Sequence, residues 1–234
     1  MEDRSKKYLE LWEKDSQEIE ESKTYEWIIK QIKKSPKEYK NIMEIGCGAG
    51  ISTLNLLKKG YNVSCIVDSN ENCIKKTRKL LHDNNYNNIK YIKGIVLEEN
   101  IESLLVEISN NFDLILCWNP GGAGQFGTET LRGIIKEIGF KEERHLHDDR
   151  EENKKEFLYQ YKMNIIRATL KLGKKLNADV QIVDRQVDND IVISEYQSEF
   201  NYKKLELSER LGKSNKNIME IETEIKYKSY MFIQ

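Results

Sequence analysis

Apolar positions in this chain fall into two kinds of stretch, short unbroken runs and longer segments in which they recur three or four residues apart. Between positions 5 and 34, Tyr8, Leu9, Trp12, Ile19, Trp27, Ile28 and Ile32 stand among charges at helical spacings, which predicts one or two amphipathic helices ahead of Pro36. The run Ile42 to Ile45 then reads as a short strand. A helix follows it with Ile51, Leu54, Leu57 and Leu56 inward, stopped by Gly60. A second strand spans 61–68, and a second helix spans 70–82 with Cys73, Ile74, Thr77, Leu80 and Leu81 on one face. The asparagine-rich "NNYNN" breaks it.

The same alternation repeats further on. Positions 89–96 predict a third strand, and Ile101, Leu104, Leu105 and Ile108 form a helical stripe. Positions 112–118 predict a fourth strand, and Thr128 is placed to cap a helix bearing Leu131, Ile134, Ile135 and Ile138. The polar stretch 141–155 reads as a linker or helix start. A long helix with Phe157, Tyr161, Ile165, Ala168 and Leu172 in register precedes a fifth strand at 178–184. Near the end, Ile221, Thr223, Ile225 and Tyr227 alternate as in a half-buried antiparallel strand. Strands and helices alternating at such short spacing predict an α/β fold, a doubly wound and mostly parallel sheet with an antiparallel C-terminal part. The expected organisation is a helical cap over 1–38 and one globular unit over 39–234.

Composition narrows the field. The 234 residues suffice for one large domain. No apolar stretch approaches the roughly 20 residues of a spanning helix, and the charged start "MEDRSKKYLE" lacks the apolar core of a secretory signal. A cytoplasmic protein with no membrane partner is expected. Cys47, Cys65, Cys73 and Cys117 are scattered without a C-x-x-C pair, so neither a disulfide framework nor a zinc site is indicated. A net charge of −1 is not the basic surplus that neutralising many phosphates would require.

Candidate chemistry gathers after two strands. The stretch "EIGCGAG" (44–50) ends the first strand on three glycines at alternate positions, Gly46, Gly48 and Gly50, which let a backbone turn and approach a ligand closely. It is not the dinucleotide fingerprint G-x-G-x-x-G, since the third glycine comes one residue early. Glu44 would also repel a pyrophosphate while suiting a ligand with positive charge. S-adenosyl-L-methionine (SAM) presents an ammonium and a sulfonium, has no phosphate, and carries a ribose whose hydroxyls want an acidic partner. Asp68 ends the second strand 22 residues after Gly46, about the spacing at which a carboxylate meets a ribose.

On these residues the chain resembles the class I, Rossmann-like SAM-dependent methyltransferases, most clearly over residues 40–120. The cofactor-binding set expected from the resemblance is Glu44, Gly46, Cys47, Gly48, Gly50, Asp68, Ser69, Gly94 and Ile95. The chain departs from the family after the third strand, where "KGIVLEE" lacks the acidic residue that reads the adenine amino group. "CWNPGG" (117–122) is similar to the first half of the tetrad that nitrogen-methylating members carry at the fourth strand end. Asn119 and Pro120 are thus the expected catalytic pair, and Trp118 and Gly121 the expected substrate contacts. Gly121 and Gly122 stand where the family has a proline and a stacking aromatic. His145 and His147 lie in a charged stretch without cysteines, and no metal is assigned to them. The implied function is methyl transfer from SAM to an acceptor, with a small molecule or nitrogen nucleophile favoured and a nucleic acid or protein acceptor left open. The alternatives are a non-catalytic SAM-binding regulatory protein and an NAD-dependent oxidoreductase. The sequence leaves the oligomeric state open.

Overall fold

The structure, a computed structural model, describes residues 4–35, 37–108, 111–120, 151–185, 190–213 and 224–234. Two helices, α1 (Arg4–Glu21) and α2 (Thr24–Ile32), precede β1 (Ile42–Ile45), α3 (Ile51–Lys58), β2 (Val63–Asp68) and α4 (Glu71–Asp83). Then come β3 (Lys90–Lys93), a 3₁₀ turn at Glu98–Asn100, α5 (Ile101–Glu107) and β4 (Leu114–Trp118). The chain closes with α6 (Glu151–Leu176), β5 (Asp179–Arg185), α7 (Asp190–Glu199), β6 (Lys204–Lys213) and β7 (Glu224–Ile233). The helix expected over 131–138 and the loop 121–127 lie outside the described residues.

One seven-stranded sheet has the order β3-β2-β1-β4-β5-β7-β6. β1 pairs in parallel with both β2 and β4, so the chain winds outward from it in two directions and the switch point lies between β1 and β4. β7 enters antiparallel beside β5, and β6 pairs antiparallel with β7 at the edge.

Period-two side-chain direction divides the core into two layers. From β4, Ile115 and Cys117 pack with Leu104, Ile166 and Leu170 on one face. Leu114, Leu116 and Trp118 pack with Ile28, Leu56 and Leu81 on the other. With helices on both faces, every residue of β1 and β4 is buried, which is why these strands read as unbroken apolar runs.

Several expectations need correction. On α3 the fully buried position is Leu56, with Ile51, Leu54 and Leu57 only partly covered, because α1 and α2 shield the helix incompletely. On α4, Asn70 caps the helix by accepting from the Asn72 amide, as its side chain and position allow. β7 alternates only at its start. From Tyr227 to Ile233 both faces are buried, since the strand lies inside the sheet between β5 and β6 with α2 packed nearby. β6 and α7 have no counterpart among the elements predicted from the sequence.

Candidate functional site

The carboxyl ends of β1, β2 and β4 hold most of the residues singled out from the sequence. Glu44 lies inside β1 at 1% exposure, and both its oxygens are occupied. Ser52 Oγ donates to Oε1 at 2.6 Å, and Thr53 Oγ1 donates to Oε2. Burial pushes the carboxyl up to about 7 against the two hydroxyl bonds that favour its charged form. Glu44 therefore ties the first turn of α3 to the strand, and with it the glycine loop between them.

Asp68 performs the matching task at the end of β2. Its Oδ2 accepts from the Gly48 amide at 3.3 Å and from the Cys47 thiol at 3.4 Å, and its Oδ1 accepts from the Asn70 amide at 2.8 Å. Burial raises its carboxyl above the ordinary range although these donors oppose the shift. Cys47 is itself buried, accepts a bond from Thr77 Oγ1 at 3.3 Å, and is pushed well up by desolvation and then by the Asp68 charge, so its thiol stays a donor.

The three loop glycines differ in what they do. All have positive φ, +79° at Gly46, +51° at Gly48 and +83° at Gly50. A Cβ at Gly46 would meet nothing within 4 Å, whereas one at Gly48 would lie 3.9 Å from the Trp12 indole. At Gly50 a Cβ would come within 3.0 Å of the Thr77 backbone, so this glycine is explained by the close approach of α3 to α4. Ser69 is half-buried beside Asp68. Gly94 donates its amide to the Asp68 carbonyl at 3.0 Å, which brings the end of β3 to the end of β2, and the partly buried Ile95 packs into the core beneath.

At the end of β4, Asn119 adopts φ +53° and donates its amide to the Val183 carbonyl at 2.6 Å. Its side-chain Oδ1 is buried and has no hydrogen-bond partner among the described residues. Pro120 beside it is buried. Trp118, the expected substrate contact, is surrounded as a core residue. Its Nε1 donates to Gln181 Oε1 at 3.0 Å and its ring stacks on Tyr25 with centroids 6.1 Å apart, both directed into the layer under α2. Gly121, His145 and His147 lie outside the described residues. Among the described residues no three metal-binding side chains cluster, and no helix is long and apolar enough to cross a membrane.

Sequence reasoning left five contributors unassigned. Ser52 and Thr53, the polar pair opening a buried helix, were readable as partners for a buried strand carboxylate. Trp12 carried only an amphipathic signal. Asp15 on α1 forms a two-pronged ion pair with Arg185 at the end of β5, at 2.9 and 2.5 Å, with both side chains nearly buried. Arg185 also lies over the Trp12 and Tyr227 rings, at 5.9 and 5.6 Å. Together with Lys76 and Glu13, 2.6 Å apart, these contacts lay α1 across the strand ends from β5 to α4.

The donor set fits SAM. Two buried carboxyls flank an open glycine turn, and neither has an ion-pair partner among the described residues, a setting that favours a cationic ligand over a pyrophosphate.

Comparisons agree with this geometry. Residues 42–139 match the methyltransferase domain family. No curated protein matches. Among solved structures, the fold is similar to a precorrin-6y C5,15-methyltransferase from Geobacter metallireducens GS-15, at 8% identity, covering 89% of this chain and 86% of that one with TM-score 0.53. It is similar to the METTL16 methyltransferase domain at 13% identity, 90% and 80% coverage and TM-score 0.56. A putative RNA methyltransferase from Pyrococcus horikoshii aligns at 11% identity, 91% and 82% coverage and TM-score 0.53. With the domain match spanning the glycine loop, Asp68 and Asn119, and with this sheet order around them, residues 42–139 form a methyltransferase domain on a Rossmann-like sheet, with S-adenosyl-L-methionine as the methyl donor.

Proposed function

We propose that the methyl acceptor is a nitrogen nucleophile bearing an N–H, oriented by the side-chain carbonyl of Asn119, and that it is a small molecule. The observation that carries this reading is the buried Oδ1 of Asn119 at the carboxyl end of β4, unpartnered among the described residues. An unsatisfied buried acceptor costs about 1–3 kcal/mol, so a ligand donor placed there recovers that penalty on binding. The left-handed backbone of Asn119 and the amide bond to Val183 fix where the carbonyl starts from, and the buried Pro120 limits the turn that follows. A net charge of −1 favours a small acceptor over a long nucleic acid.

In this reading Asp68 accepts from the ribose hydroxyls, the loop of Gly46, Cys47 and Gly48 borders the methionine end, and Ser69, Gly94 and Ile95 line the adenine. Glu44 acts at one remove, by holding α3 and the loop. Residues 1–38 serve as a cap, with Trp12 of α1 over Gly48. Bound SAM supplies an electrophilic methyl on a sulfonium. Asn119 accepts the acceptor's N–H and so aims the nitrogen lone pair, and most of the rate enhancement then comes from orientation at about 3–3.5 Å.

The test is labelled-methyl transfer from SAM into cell extract separated into protein, nucleic acid and metabolites, with label expected in an amine-containing metabolite. Asn119→Ala is expected to lower that transfer about a hundredfold while changing SAM affinity by less than about threefold. Equal transfer per folded molecule would remove Asn119 from the reaction, and label confined to nucleic acid or protein would overturn the small-molecule assignment.

A further inference from the structure

β6 ends the sheet on the β7 side, and among the described residues its outer edge has no partner strand. A free edge of this length offers unpaired N–H and C=O groups to another chain. Lysines blunt it only at its ends, through Lys203, Lys204 and Lys213, and no proline or described helix interrupts its pairing along Lys204–Lys213. On one face of the strand Leu207 and Leu211 stand 46% and 61% exposed. On the other, Arg210 donates to the carbonyls of Ser22 and Lys23 at 2.9 and 3.0 Å, and Ser208 accepts from Lys34 at 3.3 Å, so the strand is held rigidly at the rim.

Two copies of one strand pair antiparallel about a twofold axis only when one residue faces its own copy, because a register one residue off would turn the partner's sheet over. The registers that pair most of β6 centre on residues 207, 208, 209 or 210. Centring on Leu207 sets Lys204 against Arg210 and Leu205 against Glu209. Centring on Glu209 or Arg210 sets a charge against itself. Centring on Ser208 instead opposes Glu206 to Arg210 twice and Leu205 to Leu211 twice, and sets Leu207 against Glu209 while bringing each Leu207 diagonal to its copy, so it adds two opposite-charge pairs that none of the other three registers offers. Like charges stand directly opposite only at the two ends, Lys203 against Lys213, and diagonally where Glu209 meets its copy; solvent screens the first, and Lys226 and Lys228 lie beside the second.

We propose that a second copy of this chain pairs antiparallel with β6 about Ser208, joining the two sheets across a twofold axis. Leu205 and Leu211 pack across the seam at each end of the pairing, the two Leu207 side chains meet diagonally at its centre, and the Glu206–Arg210 pairs select the register. A contact built on one strand is small, so the dimer is weak and concentration-dependent.

The test uses the full chain. Sedimentation velocity over a rising concentration series is expected to show a monomer–dimer equilibrium. Glu206→Arg, which places two arginines opposite each other, is expected to raise the dimer dissociation constant about tenfold without lowering the melting temperature. Ser208→Cys is expected to form an intermolecular disulfide under mild oxidation, since the two positions face each other across the axis and the four native cysteines are buried. Leu211→Cys is expected to form none, because its copies lie at opposite ends of the paired segment. A chain that stays monomeric throughout, a dimer unaffected by Glu206→Arg, or disulfide formation at Leu211→Cys equal to that at Ser208→Cys would each overturn the proposal.

Discussion

Glu44 and Asp68 are both buried carboxyls, yet they hold different partners and lead to different expectations. Glu44 faces only hydroxyls, and its carboxyl is raised from an ordinary 4.5 to about 7 in the fold. The folded chain therefore binds a proton on Glu44 more readily than the unfolded chain. Stability from this group is greatest below the unfolded value and is lost as pH rises from about 4.5 through about 7. Urea unfolding of wild type against Glu44→Gln should show the wild-type advantage shrinking by about 1–3 kcal/mol between pH 5 and 8. A constant difference would mean that the carboxyl does not titrate in that window. Asp68 gathers the amides of Gly48 and Asn70 and the thiol of Cys47 on one side chain. Asp68→Asn keeps the shape but loses the charged acceptor, so SAM affinity by calorimetry should weaken by about 1–3 kcal/mol. Unchanged affinity would place the ribose elsewhere.

Among the elements, α3 and α4 show how a loop glycine can have two explanations that the sequence cannot separate. Gly50 looks like the third member of a cofactor motif, but its missing side chain is also where Thr77 packs, with Thr77 Oγ1 only 2.9 Å from a Cβ there. Gly50→Ala combines a strained positive φ with that collision and should destabilise the fold by about 1–3 kcal/mol. If the cost is confined to packing, SAM affinity measured on the folded fraction stays near wild type. A large loss of affinity with no loss of stability would restore Gly50 to the binding surface. β1, β2 and β4 were legible because burial on both faces leaves nearly continuous apolar runs, as in Ile42–Ile45 and Leu114–Trp118, whereas β3 buries only Ile92. β6 was not legible, for the opposite reason. Its odd positions, Leu205, Leu207 and Leu211, alternate with charges on an edge where neither face demands a continuous apolar pattern, and Glu209 interrupts the row. The candidate site was suggested by Gly46, Gly48 and Asp68, whose signals are local. Trp12, Asp15 and Arg185 come together only through folding across more than half the chain, and Asn119 gave its residue type but not the solitude of its carbonyl.

Across the whole molecule, the C-terminal half is fastened by a charge cluster that spans α7, β6 and β7. Lys228, 4% exposed at its side chain, reaches Asp190 at 2.7 Å and Glu209 at 3.5 Å, and Tyr230 donates to Asp190 at 2.6 Å. Burial alone would raise the Asp190 carboxyl, but the bonds from Lys228 and Tyr230 outweigh it and hold the group below its ordinary value. Asp190 therefore stabilises the fold above its unfolded pKa, and that contribution fades as pH falls through the depressed folded value. The cluster is asymmetric in exposure, since both acids are 43% exposed while the lysine is enclosed. Removing the lysine leaves two carboxylates that water can reach, and a methionine refills the space its stem occupied. Removing Asp190 takes the shorter of the two carboxylate contacts from an ammonium in the interior and strands the Tyr230 hydroxyl. Asp190→Asn should thus cost roughly 1–3 kcal/mol near neutral pH and Lys228→Met distinctly less, the reverse of what a symmetric surface pair would give. As pH falls through that depressed value the cost of Asp190→Asn should shrink, because the carboxyl is then protonated in the folded chain as well as in the unfolded one. Equal costs at neutral pH, measured by urea unfolding, would mean that the lysine is solvated through α7 opening and that the sheet's antiparallel end is held by apolar packing alone.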